Sequence, residues 1–240
     1  MNKQRVDGHT SQAYDAEMNQ VVNHVLEMGE LVTQQVEKAL QAFIHSDSAL
    51  AQQVVEKDHL VNKMEVDIDN ECVQILVRRQ PAAGDLRAVI AVIKTIKDVE
   101  RIGDQAKRIA RLALKASESD QMMAPKEFNE FQTMGSRVLE MLRGAMQAFR
   151  KMDAEDALSV ALLDKQIDND YEAILRQNMT YMLEDPRNIT RIVEMTWAGR
   201  AIERIGDHAR NICEYTIYFV KGQDVRHQDD SVLEATVKGR

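Results

Sequence analysis

Apolar positions recur along this chain at spacings of three and four residues and almost never alternate. Val92, Ile96, Val99, Ala106 and Ala110 fall on one stripe, with Gly103 inside it, and Val54, Val61, Ile68 and Cys72 fall on another. That spacing predicts helices with one face turned inward, not strands. Breaks divide the pattern into six helices: Ala16–His45, Ser48–Arg78, Leu86–Ala116, Lys126–Lys151, Ala154–Glu184 and Ile189–Lys221. Pro125 suits a first helical turn. Asp153, with Asp156 three residues on, reads as a capping box in which Asp replaces the usual Glu. Pro81 and Pro186 precede the third and sixth helices, with Asp85 and Asn188 as the expected N-caps. Gly222 suits a left-handed end to the last helix. Connections this short make neighbouring helices antiparallel.

The pattern is written twice. "MGELVTQQVEKALQAF" (residues 28–43) aligns with "MGSRVLEMLRGAMQAF" (134–149) at an offset of 106 residues. At the same offset Asp47 meets Asp153, Asp58 meets Asp164, and Val61 meets Ile167. "VERIGDQA" (99–106) returns as "IERIGDHA" (202–209) at an offset of 103. Three colinear matches mark an internal duplication, not shared helical composition. The expected fold is all-α: two tandem three-helix bundles, over 16–116 and 124–222, with helices about 45 Å long. "SESDQMMAP" (117–125) divides the copies. Residues 1–15 and 223–240 hold little apolar material, so they are expected to be flexible. A six-helix solenoid is the alternative, differing in whether the copies pack side by side.

Composition narrows the function. In 240 residues, 44% are hydrophobic, enough for a core, and only 10 Gly and 3 Pro interrupt it. The formal net charge of −8 argues against a nucleic-acid binder, which needs a basic face. Cys72 and Cys213 lie within helical patterns and outside any C-x-x-C, so buried free thiols are expected. No apolar run approaches the roughly 20 residues that span a bilayer. The first fifteen residues lack the apolar segment of a signal peptide. A cytoplasmic location is therefore expected.

The acids are placed with purpose. At 100° per residue, Glu100 and Asp104 share one edge of the third-helix stripe, and Asp58 and Asn62 flank the second-helix stripe. Folding the second helix back on the third near residue 82 brings Asp58 level with Asp104 and Asn62 level with Glu100. The same fold near residue 186 brings Asp164 level with Asp207 and Asp168 level with Glu203. Two sites follow: Asp58, Asn62, Glu100 and Asp104, and Asp164, Asp168, Glu203 and Asp207. Clustered carboxylates repel one another, and a hard cation such as Mg, Ca, Mn or iron offsets that repulsion. The alternative is a salt-bridge network in which Arg101, Arg108, Arg204 and Arg210 neutralise the acids.

A ferritin-like di-iron centre would need paired E-x-x-H motifs. Only Glu56–His59 has that spelling, and its counterpart is Leu162–Lys165. His9, His24, His45 and His227 are isolated. His208 adjoins Asp207 and reads as a solvated side chain, with a peripheral ligand as the alternative. No nucleophile elbow, P-loop or dinucleotide turn is spelled. Trp197, Tyr215, Tyr218 and Phe219 read as core or bundle-to-bundle packing, or else as a dimer contact.

The paired cassettes, with "RRQPAAGDLR" (78–87) and "YMLEDPRNITR" (181–191) before the third helix of each copy, closely resemble the PhoU family over residues 12–222. The resemblance implies a cytoplasmic, homodimeric regulator, not an enzyme, that represses phosphate uptake and the phosphate-starvation response. It implies two partners, the phosphate ABC transporter through its ATPase subunit and a membrane sensor histidine kinase, with the membrane met only through them. Family members bind metal clusters through E/D-x-x-x-D motifs, with Mg, Mn, Fe or Zn as the ions. Glu100–Asp104, Asp164–Asp168 and Glu203–Asp207 match that motif, whereas Asp58–Asn62 departs from it by an amide and is one charge weaker. Arg87, Arg101, Arg191 and Arg204 are candidate supporting or partner-binding residues. A carboxylate-bridged metalloenzyme of phosphohydrolase type, or a purely structural helical adaptor, are the competing readings.

Overall fold

A computed structural model of the chain describes residues 11–117 and 129–239. Its helices are α1 (Ser11–His45), α2 (Ser48–Arg79), α3 (Ala83–Ser117), α4 (Asn129–Lys151), α5 (Ala154–Ala161), α6 (Asp164–Glu184), α7 (Ile189–Lys221) and α8 (Asp230–Lys238). There is no strand among the described residues. His9 and the rest of 1–10, the linker from 118 through Pro125, and the helix start expected at Lys126 lie outside the described residues.

Equivalent sequence makes equivalent corners. Ser46 and Met152, 106 residues apart, both take left-handed backbone, with φ of 54° and 50°. The next amide in each corner donates back into the preceding helix: Asp47 to the Ala42 carbonyl at 3.0 Å, Asp153 to the Ala148 carbonyl at 3.1 Å. Both aspartates then cap the following helix, Asp47 accepting from the Leu50 amide and Asp153 from those of Glu155 and Asp156. The return half of the expected capping box is not made, because the Asp156 side chain pairs with Lys151 at 2.9 Å. The caps expected before the third helices also differ. Asp85 lies inside the first turn of α3, and Asn188 makes no side-chain cap bond. Asp185 instead caps a 3-10 turn over Pro186–Asn188. Gly222 does close α7, at φ 73°.

Two further expectations are corrected. The fifth helix, expected to run unbroken, is interrupted at Leu162–Leu163, where the Leu163 amide donates to the Val160 carbonyl at 3.0 Å. Backbone angles there stay near helical, so one tightened turn joins α5 to α6 just before Asp164. The tail beyond Gly222 does pack: Val225, Leu233 and Val237 are buried, and Lys221 Nζ donates to the Val237 carbonyl at 2.7 Å. Three well-spaced apolar residues are enough to seat a nine-residue helix on an existing surface. At the other end Tyr14 is buried, and its hydroxyl donates to the Asp85 carbonyl at 3.0 Å, so α1 is anchored within the stretch expected to be loose.

The two bundles, α1–α3 and α4–α7, pack side by side around one continuous apolar core. Equivalent helices meet antiparallel. Lys115 of α3 pairs with Glu194 of α7 at 2.6 Å, while Lys94 lies over the rings of Tyr215 and Tyr218 towards the other end. On α1 and α4, a Cβ at Gly29 would overlap the Met146 side chain, and one at Gly135 would lie 3.1 Å from Leu40. Gly135 and Met146 are the repeat mates of Gly29 and Leu40, so both contacts are one contact made twice across an approximate two-fold axis. The repeated "MG" of the two copies lets those helices touch.

Cys72 and Cys213 are buried free thiols, and burial pushes the Cys72 thiol up to about 12. Trp197 is 46% exposed, not core, whereas Tyr215 is buried. Among the described residues no helix is long and apolar enough to cross a membrane.

Candidate metal centre

In the second bundle, the break after α5 puts Asp164 in the first turn of α6, facing α7. Close approach is permitted by Gly206 of the cassette. A Cβ there would lie 3.2 Å from Ile167 Cδ1 and 3.3 Å from Asp164 Oδ1. Asp168 follows one turn along α6, and Asp207 comes from α7. One carboxylate oxygen from each of the three lies within 4.8 Å of the others. Asp164 is 7% exposed, and its Oδ1 is buried without a hydrogen-bond partner. Burial, then the charges of Asp168 and Asp207, push its carboxyl up to about 7. Asp168 is shifted upward by burial and by Asp207.

Glu203, expected as the fourth ligand, stands outside the trio and pairs with Arg200. Its Oε2 is still buried and unpartnered, and burial followed by Asp207 pushes its carboxyl up to about 7 against the pull of Arg200. The nearest basic group to Asp164 is Arg210, with Nη1 3.7 Å from Oδ2. Three carboxylates from two helices, one of them desolvated, form a set of hard oxygen donors of the kind that Mg²⁺, Mn²⁺ or iron prefers. Neither a thiolate nor an imidazole belongs to the set, so the donors fit Zn²⁺ less well.

The first bundle is arranged differently. Asp58 is buried, but Lys107 Nζ donates to its Oδ2 at 2.5 Å. Asn62 is exposed. Arg101 lies 3.7 Å from Glu100 and 4.0 Å from Asp104. Burial and the charge of Asp104 raise the Glu100 carboxyl. Asp58, Glu100 and Asp104 form no three-carboxylate group among the described residues. Here the ion-pair alternative describes the geometry, with Lys107 as the cation.

The model of the "PhoU domain" matches this chain twice, over residues 25–113 and 131–216. The chain belongs to the PhoU family. It is 49% identical over 239 residues to the phosphate-specific transport system accessory protein PhoU homolog of Pseudomonas putida, a match spanning 100% of this chain and 93% of that protein. It is 41% identical over 241 residues to the phosphate-specific transport system accessory protein PhoU of Escherichia coli K12, spanning 100% of this chain and 98% of that one. The crystal structure of PhoU from Pseudomonas aeruginosa superposes with a TM-score of 0.84 at 50% identity, covering 88% of this chain and 100% of that one. The phosphate transport system regulatory protein PhoU from Streptococcus pneumoniae gives 0.81 at 30% identity, covering 88% and 99%.

Two polar assemblies in this PhoU fold escaped the sequence reading. Asp98 of α3 is buried where the bundles meet. It accepts from Asn211 Nδ2 at 3.0 Å and from the Tyr215 hydroxyl at 2.8 Å, and its Oδ1 lies 2.6 Å from His208 Nδ1. His208, expected to be solvated, is thus a half-buried inter-bundle partner. Across the two-fold axis the mate of the Asp98–His208 pair would be Ala201–Gln105, which contains no acid. That asymmetry hides the network from a search for repeats. The second assembly joins the tail to the carboxylates. Arg210 donates through Nε to Glu214 at 3.1 Å and through Nη2 to Asp230 of α8 at 2.9 Å.

The candidate supporting arginines are dispersed. Arg101 and Arg204 are exposed, Arg87 is half-buried against the Gly222 corner, and Arg191 is half-buried on α7.

Proposed function

We propose that this protein is a non-catalytic regulator in the cytoplasm that restrains phosphate uptake and the phosphate-starvation response. In that role it links the ATPase subunit of the phosphate ABC transporter to a membrane sensor histidine kinase, and it works as a homodimer. The relatives named as accessory or regulatory proteins of a phosphate-specific transport system support the role.

A divalent or trivalent cation, Mg, Mn or iron in preference to Zn, is held by Asp164, Asp168 and Asp207, with Glu203 beside them. The observation that carries this part is the unpartnered Oδ1 of Asp164, nine-tenths buried among like charges. A buried ionised carboxylate without a partner is costly, and a bound cation removes that cost. The cation ties α6 to α7 and sets the charge of a face that a partner reads.

Deleting the gene and following alkaline phosphatase in high phosphate tests the regulatory role. Constitutive expression is expected, and unchanged repression rejects the role. Titrating the purified chain with Mn²⁺ tests the site, and release of phosphate from phosphorylated substrates by the loaded protein would favour the metalloenzyme reading.

A further inference from the structure

Lys107 and Arg210 are repeat mates, 103 residues apart, each the next basic residue after the cassette on the face that meets the second helix. They behave differently. Lys107 sits on Asp58 at 2.5 Å, whereas Arg210 stops 3.7 Å short of Asp164. Reach does not explain it, since arginine is the longer and more multidentate donor. Restraint does. Glu214 holds Nε at 3.1 Å, and Asp230 holds Nη2 at 2.9 Å from the tail helix. Among the described residues, the first copy offers neither hold. The residue at the Glu214 position is Arg111, and no described helix lies between α3 and α4 to stand where α8 does. The tail is seated firmly enough to act as an anchor, with Leu233 and Val237 buried and α8 packed against α5 and α7.

We infer that α8 keeps the carboxylate site open to a cation by holding Arg210, through Asp230, off Asp164. Without Asp230, the guanidinium turns onto Asp164, as Lys107 does onto Asp58, and becomes the site's own counter-ion in competition with metal. Any partner that lifts the tail would close the site in the same way. The inference deepens the metal reading given above and rests on it.

The test is calorimetric titration of Mn²⁺ into the full chain, D230N, R210M and R210M/D230N. Asp230 is partly exposed, so D230N should leave α8 seated, and a matching melting curve checks this. In D230N, Mn²⁺ binding should weaken about tenfold, the scale of one charge-assisted hydrogen bond won by the competitor. In the R210M background the same change should have no effect. An unchanged affinity in D230N, or an equal loss in both backgrounds, overturns the inference and leaves the metal reading standing. If the wild-type chain takes up no Mn²⁺, the metal reading fails, and a metal-free crystal structure of D230N then decides: Arg210 bonded to Asp164 sustains the restraint, and Arg210 unmoved overturns it.

Discussion

Two copies of one cassette, folded against two copies of one helix, have arrived at opposite electrostatic answers. In the first bundle a buried aspartate is neutralised by Lys107, and the position one turn on is an amide. Both aspartates keep one buried oxygen without a hydrogen-bond partner, but in the second bundle the aspartate gains two carboxylate neighbours and sees its nearest arginine drawn towards the tail. The cassette helix is common to both, and so are the glycine and the apolar contact beneath it, while the second helix is unbroken through Asp58 and tightened by one turn just before Asp164. The other difference is whether a basic side chain reaches the acid. A duplicated scaffold therefore need not mean a duplicated site.

Cation binding gives the largest expected contrast. At a concentration one hundred times its Kd, a ligand held only by the folded state adds about 2.7 kcal/mol of stability. Mn²⁺ should therefore raise the melting temperature of the wild-type chain. Asp207→Asn should abolish most of that rise, and Asp104→Asn should leave it nearly intact. Equal losses from both changes would mean that the bundles share the ion.

Removing the buried acid itself should give effects of opposite sign. Asp58→Asn strands the partly buried Lys107 ammonium and should cost about 1–2 kcal/mol. Asp164→Asn removes a carboxyl whose folded value, about 7, lies above the ordinary value near 3.9. Between those values the folded chain holds more protons than the unfolded one, so this group's contribution to stability falls as pH rises through that window. The metal-free Asp164→Asn protein should accordingly be more stable than wild type at both pH 5 and pH 8, with an advantage about 1–2 kcal/mol larger at pH 8. Urea unfolding at both pH values measures this. A destabilisation at pH 8 would show that Arg210 already neutralises the group.

Much of this was readable in the sequence because it is periodic. The stripes, the two-fold repetition and the level pairing of α2 with α3 and of α6 with α7 all follow from 3.6 residues per turn and short connections. Periodicity says which residues share a face and a height, and it brought Asp164, Asp168 and Asp207 together. It does not say which rotamer each side chain adopts, so Lys107 on Asp58 and Arg200 on Glu203 were not foreseen. Contacts between the copies were also hidden, because Asp98 and His208 are 110 positions apart and belong to no repeat. The tail was undervalued because three apolar residues in a polar segment look too few to pack until a surface to receive them is known.

The smallest effect isolates the glycine common to both cassettes. Alanine in place of a helical glycine gains about 1 kcal/mol of helix propensity if its methyl group fits. At Gly103 the nearest atom to a new Cβ is Val61 Cγ1, at 3.4 Å, which is ordinary contact, so Gly103→Ala should be neutral or stabilising by up to about 1 kcal/mol. At Gly206 the new methyl would lie 3.2 Å from Ile167 Cδ1 and 3.3 Å from Asp164 Oδ1. Isoleucine can yield a little there, but the carboxylate can do so only by leaving its place in the trio. Overpacking should then cancel the propensity gain, leaving Gly206→Ala about 1 kcal/mol less stable than Gly103→Ala, and Mn²⁺ binding should weaken in the second alone. Equal stabilities and unchanged Mn²⁺ affinity in both variants would show that α6 is free to move away from α7, and that the cassette glycine does not set the spacing of the carboxylates.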